Sequence, residues 1–384
     1  MEAVTLMKIK KVAIDDNILI KDKISTAGSK SLGNFSPPFG ATVVQKLQEN
    51  GVSDIIQTKP NEFGMDLMQP FGSVSAVAKG DVEIGIGADL IGTIRGQASK
   101  NNVCFIKPTY GTVSRFGLVS MVPSMEQIGI VCKDISLGFE ALEAISGFDE
   151  KDGTLVSSDK YDFKYLNADD SDSAKEKTLF GIKIGIPACC VNSEKVSAMA
   201  EQLKSLGVEV STFDFPLIEH VAGVTYVIAA AEMSNSISRF DGIKFGYRTE
   251  NFSNLEDIYV NSRTESFTFE TKFLTLIGIH VLSKEKYDEY FNKSQKIRRL
   301  IKDASKDVFE KYDAILTPAG ISADAGNAWA DGTLESFKNA YGDLKYLSLP
   351  NLISAPAVSL GGVQLIAKEF NESALYKICC NLNI

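Results

Sequence analysis

A chain of 384 residues with 44% hydrophobic and 23% charged side chains has a globular composition and is long enough to bury a large core. A formal net charge of −9 argues against a general nucleic-acid surface, which needs an excess of Lys and Arg, and no apolar run approaches membrane-spanning length. The six cysteines form no disulfide framework and, with only His220 and His280 beside them, no Cys/His metal pattern, so reduced and mostly buried thiols are expected, with no metal and no cofactor.

In chain order, Val12-Ala-Ile14 predicts a short opening strand, and Ala41, Val44 and Leu47 at helical spacing predict a helix stopped by Gly51. The chain then crosses Ala76 to Asp81 and enters a glycine-rich run from Gly85 to Gly129, the composition of a loop-built site on a rigid scaffold or of tight turns between core strands. Leu137, Ala141, Ala144 and Ile145 mark a second amphipathic helix, and Ala168 to Lys177 has the polar, mixed charge of a solvated loop. Lys183-Ile-Gly-Ile-Pro187 predicts a strand. A helix follows with Val196, Met199, Ala200 and Leu203 on its apolar face, and then a strand at Val208 to Val210. A long helix is predicted over 285–309 with Tyr287, Tyr290, Phe291, Ile297, Leu300, Ile301 and Phe309 inward. Ala314 to Pro318 is a strand, and Val358 to Ile366 gives paired short strands before a C-terminal helix. Strands alternating with helices indicate an α/β fold in which helices cover both faces of an open sheet. No signal-peptide pattern precedes the first strand, so a cytoplasmic location is expected.

Three motifs carry a resemblance. Gly87-Ala-Asp-Leu-Ile-Gly-Thr-Ile-Arg95 is followed by Lys107-Pro-Thr-Tyr-Gly-Thr-Val-Ser114 and by Ser124-Met-Glu-Gln-Ile-Gly129. This succession resembles the amidase signature family. Within it, Arg239 to Arg248 and Lys293 to Ile301 resemble the A subunits of tRNA-dependent glutamine amidotransferases. The resemblance runs from about Val12 to the C-terminus and implies one domain over 1–384, built on a large twisted mixed sheet. It also implies that the N-terminal helical region and some pocket loops of relatives are missing.

The family chemistry is amide hydrolysis by a Ser-Ser-Lys set: an attacking serine, a bridging serine, a lysine base and backbone N–H groups that hold the oxyanion. By register the lysine position is Asp15, the bridging serine is Gln69 and the nucleophile is Thr93. Leu90, Ile91 and Gly92 occupy the oxyanion loop. A carboxylate beside a developing oxyanion raises its energy, and Gln69 has no hydroxyl to relay a proton. Ile91 stands where relatives have glycine, and a β-branched residue resists positive φ. Thr93 is then a nucleophile with unorthodox partners or a packed hydroxyl on a core turn. The resemblance further assigns Arg298 and Tyr247 to substrate binding, a bidentate guanidinium being suited to a carboxylate, although Arg298 also fits a surface helix charge.

The expectation is a protein that keeps the fold and has lost hydrolysis, acting as a scaffold or partner with other amidotransferase-type subunits or with itself, without a nucleic-acid or membrane surface. An active amidase using Thr93, and a small-molecule binding module for an amino acid or amide, are the alternatives.

Overall fold

The short apolar runs of the sequence become strands, and their alternation sorts the core into two faces. In the computed structural model, residues 8–66, 69–157, 179–320, 342 and 344–382 are described. Val12 and Ile14 of β1 (Lys11–Asp15) face one side with Ile84 and Ile86 of β3 (Ile84–Asp89), whereas Ala13 faces the other. In β4 (Cys104–Lys107) and β5 (Gln127–Cys132), Ile106, Ile128 and Ile130 take the first side, Phe105 and Val131 the second. Burial of both faces explains runs that are apolar almost throughout.

Ten strands form one sheet in the order β2-β1-β3-β5-β4-β9-β10-β8-β6-β7. The remaining strands are β2 (Asp54–Thr58), β6 (Lys183–Pro187), β7 (Glu209–Phe213), β8 (Ala314–Pro318), β9 (Ala357–Leu360) and β10 (Val363–Ala367). Pairing is parallel at both ends, β2-β1-β3 and β8-β6-β7, and antiparallel between them. The sheet is therefore mixed, as the α/β reading requires. β9 and β10 join through Gly361 and Gly362, at φ 55° and 86°, the positive angles that a tight two-residue hairpin demands.

Helices α1 (Thr42–Glu49), α4 (Ile135–Ile145) and α5 (Glu194–Ser205) cover the first face. Helices α2 (Gly72–Lys79) and α3 (Thr93–Lys100) lie on the second, joined there by α6 (Ile218–Ile237) and α8 (Phe269–Leu282). α7 (Leu255–Ser266) and α9 (Lys293–Phe309) complete that side, with the short turns α10 (Leu344–Leu347) and α11 (Leu349–Leu352); α12 (Glu372–Cys379) is the last described helix.

Some elements differ from the expectation. Helices α6, α7 and α8 have no counterpart in the sequence pattern; α6 buries residues on several sides and so lacks a clean apolar stripe. The helix expected over 285–309 begins with a π-helical turn at Asp288–Asn292, which delays the regular spiral until Lys293. Ile301 is fully buried and Ile297 and Phe309 pack against the core with Ala304 and Val308, as expected of an inward face, whereas Tyr287, Tyr290 and Leu300 face solvent. The segment Ala76 to Asp81 includes the second half of helix α2. The expected loop at Ala168 to Lys177 lies outside the described residues.

Candidate functional site

The C-terminal end of β1 delivers Asp15 to the start of α2. Asp15 is completely buried. Its Oδ1 accepts from the Ser73 amide at 2.9 Å and from Thr58 Oγ1 at 2.9 Å, and its Oδ2 accepts from Ser73 Oγ at 2.6 Å. The carboxyl thus satisfies an amide in the first turn of α2 that has no intrahelical partner, acting as a cap supplied from a neighbouring strand. Burial pushes its pKa up to about 6, against the opposing pull of the Ser73 and Thr58 hydrogen bonds.

Thr93 opens α3 and is also closed to solvent. Its hydroxyl donates to the Gly64 carbonyl at 2.7 Å. In the preceding loop the Gly92 amide donates to Asp89 Oδ1 at 2.8 Å, so one of the expected oxyanion donors is occupied by the chain's own carboxylate. The left-handed angle falls on Gly92, at φ 97°, and not on Ile91, so the β-branched side chain meets no backbone conflict there. Leu90 and Ile91 are both buried in the second face of the core. A Cβ at Gly92 would stand 2.7 to 2.8 Å from Leu347, which explains why glycine remains at that position.

The resemblance groups Asp15, Gln69 and Thr93 as one set, and their surroundings in the structure differ. Gln69 is exposed; its main chain accepts from Asn61 Nδ2 at 3.1 Å. Its neighbours Leu67 and Met68 lie outside the described residues. Across β3, a Cβ built on Gly87 would lie 3.0 Å from Asp15 Oδ2, 3.2 Å from Ser73 Oγ and 2.5 Å from the methyl end of Ile94. The immediate partners of Asp15 are therefore Ser73 and Thr58, with Ile94 close by. Ser73 was not singled out in the sequence, and neither was Gly64.

A buried polar network holds the Thr93 helix in place. Arg95 and Asp89, both without solvent exposure, form an ion pair at 2.7 Å. Arg95 also donates to Gln364 Oε1, the Leu347 carbonyl and Asn351 Oδ1, while Asn351 Nδ2 bonds the Asp89 and Met125 main chain at 3.3 Å. Lys107, fully buried, donates to the Pro108 and Ala355 carbonyls at 3.0 and 2.9 Å. Burial lowers its pKa to about 7 while Asp89 opposes the change. These satisfied charges fix geometry, because removing one member leaves another buried and unpaired.

Arg298 and Tyr247 occupy different surroundings. Arg298 donates from Nε to the Leu352 carbonyl at 2.8 Å, and from its two terminal nitrogens to Ser124 Oγ at 3.0 Å and the Ser124 carbonyl at 2.8 Å. Tyr247 lines a cleft, and its hydroxyl donates to Glu265 Oε2 at 2.7 Å. Among the described residues no group of three or more His, Cys, Asp or Glu side chains is arranged to hold a metal ion, and no helix is long and apolar enough to cross a membrane.

Comparison with known proteins places these features. The sequence profile of the family Amidase matches residues 72–375. The chain is similar to the glutamyl-tRNA(Gln) amidotransferase A subunit of Enterococcus faecalis, with 36% identity over 95% of this chain and 80% of that one. It is likewise similar to the protein of the same name from Lachnoclostridium phytofermentans, at 34% identity over 97% and 82% of the two chains. Among solved structures, the Thermotoga maritima glutamyl-tRNA(Gln) amidotransferase A subunit superposes with a TM-score of 0.72 at 30% identity, covering 96% of this chain and 81% of that chain. Kluyveromyces lactis allophanate hydrolase shares the fold, with a TM-score of 0.75 at 18% identity over 96% of this chain and 60% of that one.

Proposed function

The chain belongs to the amidase family, and on that premise we propose that it is a protein of the amidotransferase A-subunit type that no longer hydrolyses amides and serves as a scaffold or partner in an assembly. The observation that carries this reading is the Thr93 hydroxyl, which is closed to solvent and donated to the Gly64 carbonyl at 2.7 Å. A nucleophile must reach an amide carbon and surrender its proton to a base; here the base position holds a carboxyl engaged with Ser73, and Gln69 offers no hydroxyl relay. Loss of a general base alone costs about 10² to 10⁴ in rate, and joint loss of a hydrolytic set about 10⁶. The buried Arg95-Asp89 network and the turn glycines remain alongside those changes, which supports a folded protein in use.

The relatives are named as subunits of an amidotransferase, and this supports a protein partner for the chain: another component of that type or a second copy. Ammonia release from glutamine, asparagine and simple amides tests the first half of the proposal, together with labelling by a fluorophosphonate. No turnover and no label on Thr93 are expected; turnover that disappears in Thr93→Ala would overturn the reading in favour of an active hydrolase. Mass in solution, and co-purification with amidotransferase-type subunits of the native cell, test the second half. A strict monomer that associates with none of them counts against it.

A further inference from the structure

We propose that the cleft lined by Tyr247 is a binding site for an amphipathic organic anion, with an aromatic or aliphatic body and a carboxylate or phosphate head. The cleft has a volume of about 820 Å³, within the range of small-molecule sites. Its body is apolar: Leu32, Phe35, Leu118, Met121 and Phe240 line it, and Leu32 and Met121 are part of the packed core. Phe240 stacks on buried Phe63 at 6.0 Å between ring centroids, so the floor is backed by the interior.

Three cations line the same cleft. Lys30, Arg239 and Lys244 are all exposed, and none forms a salt bridge with a described residue. In a chain of net charge −9, three cations with no ion-pair partner among the described residues gather at one apolar opening, and they outnumber the two carboxylates beside them, Asp241 and Glu265. Lys30 Nζ sits 4.0 Å from the centroid of the Tyr247 ring. Of the two nearby acids, Glu265 already accepts from Tyr247 at 2.7 Å and from Thr249 at 2.8 Å beside Lys30, and Asp241 is engaged with the amides of its own turn.

The segment carrying two of the cations is shaped before any ligand arrives. Gly242 and Gly246 hold φ of 74° and 85°, and Asp241 Oδ1 accepts the Ile243 and Lys244 amides at 2.8 and 3.1 Å. A Cβ at Gly242 would stand 2.4 Å from Ser262 Oγ, and one at Gly246 would stand 3.2 Å from Phe240 Cβ, so this turn packs tightly against its surroundings. Cations at the edge of an apolar floor, two of them carried on or beside a preformed backbone turn, favour an anion with a hydrophobic body over a zwitterion or a neutral amide. Of the residues the resemblance assigns to the site, Tyr247 lines the cleft and Asp15, Thr93 and Arg298 do not, so the test reads occupancy directly and not through hydrolysis.

The test uses 8-anilinonaphthalene-1-sulfonate as the probe on the full chain, with N-phenyl-1-naphthylamine as the same body without its charge. Saturable one-to-one binding of the sulfonate is expected, weakened at least about tenfold in the combined Lys30→Gln, Arg239→Gln, Lys244→Gln variant, with the neutral dye little affected. All three side chains are exposed and the Lys30 contact with the Tyr247 ring is a small contribution, so the variant should fold with a thermal midpoint close to wild type. A second variant, Leu276→Glu with Ile279→Glu on the exposed face of α8, controls for dye adsorbed there and should leave sulfonate affinity intact. Displacement by phenylphosphate or by 3-phenylpropionate supports the site, and the more effective competitor identifies the head group. Equal affinity in wild type and triple variant, loss of binding in the α8 variant, or displacement by neither competitor would overturn the proposal.

Discussion

Ser73 Oγ donates to Asp15 Oδ2 at 2.6 Å, and the Ser73 amide donates to the other oxygen of the same carboxyl at 2.9 Å. One buried acid thereby ties the end of β1 to the first turn of α2. The bond gives Asp15 a structural function at the position that the resemblance assigns to a base.

That contact has a pH signature. The Asp15 pKa is raised by burial from 3.8 to about 6 in the folded chain, so the native state holds a proton that the unfolded chain releases. Below the unfolded value both states are protonated and no penalty exists. As pH rises through the folded value the penalty develops fully, to about 3 kcal/mol. Asp15→Asn removes it. The stability of Asp15→Asn relative to wild type should therefore rise by up to about 3 kcal/mol between about pH 3.5 and pH 7, read as urea midpoints across that range. A difference that stays flat with pH would show that Asp15 ionises in the fold as freely as in the unfolded chain.

Thr93 should behave as a packing residue. Thr93→Ala leaves the Gly64 carbonyl without its donor in a buried place and should cost about 1–3 kcal/mol. Thr93→Ser keeps the hydroxyl and loses one methyl, so about 1 kcal/mol is expected, with no gain of amidase activity. Chemical denaturation of the two variants checks the ranking. Thr93→Ala as stable as wild type would mean that the hydrogen bond contributes nothing.

Gly92 and Gly80 share a left-handed backbone, at φ 97° and 83°, but differ in surroundings. A Cβ at Gly92 meets Leu347 at 2.7 Å and its main chain at 2.8 Å, whereas one at Gly80 has nothing within 4 Å. Gly80→Ala should cost about 1 kcal/mol, the backbone contribution alone. Gly92→Ala should cost more than about 3 kcal/mol, or prevent folding, because backbone must move as well. Comparable thermal midpoints for the two variants would contradict the close approach at Gly92.

Arg298 should register in stability before it registers in binding. Its guanidinium joins α9 to Ser124 and to the Leu352 carbonyl, so Arg298→Ala should destabilise by about 1–3 kcal/mol. Glutamine should give the same absence of a thermal shift in wild type and variant. A shift seen in wild type and lost in Arg298→Ala would return this side chain to substrate binding.

Features that depend on neighbours along the chain were legible before any fold was known. Strands could be read at Val12 to Ile14, Lys183 to Pro187 and Ala314 to Pro318, because a strand buried on both faces must be apolar at nearly every position. The hairpin at Gly361-Gly362 was legible because a two-residue turn admits few other residues. Long motifs at Gly87 to Arg95 and Lys107 to Ser114 made the family legible. Helix α6 was not, since a helix packed on several sides shows no stripe. The apolar spacing also overstates the inward face over 285–309, where Tyr287 and Tyr290, at the π-helical turn that precedes α9, and Leu300 face solvent. Hydrogen-bond partners were decided by packing. Asp15 meets Ser73 because α2 packs against the end of β1, Thr93 meets Gly64 because a loop 29 residues earlier passes over the start of α3, and Arg298 reaches Ser124 across 174 residues. Register within a motif is local, but a side chain's partner is set by how distant elements pack, and at these positions that packing determines which chemistry is available.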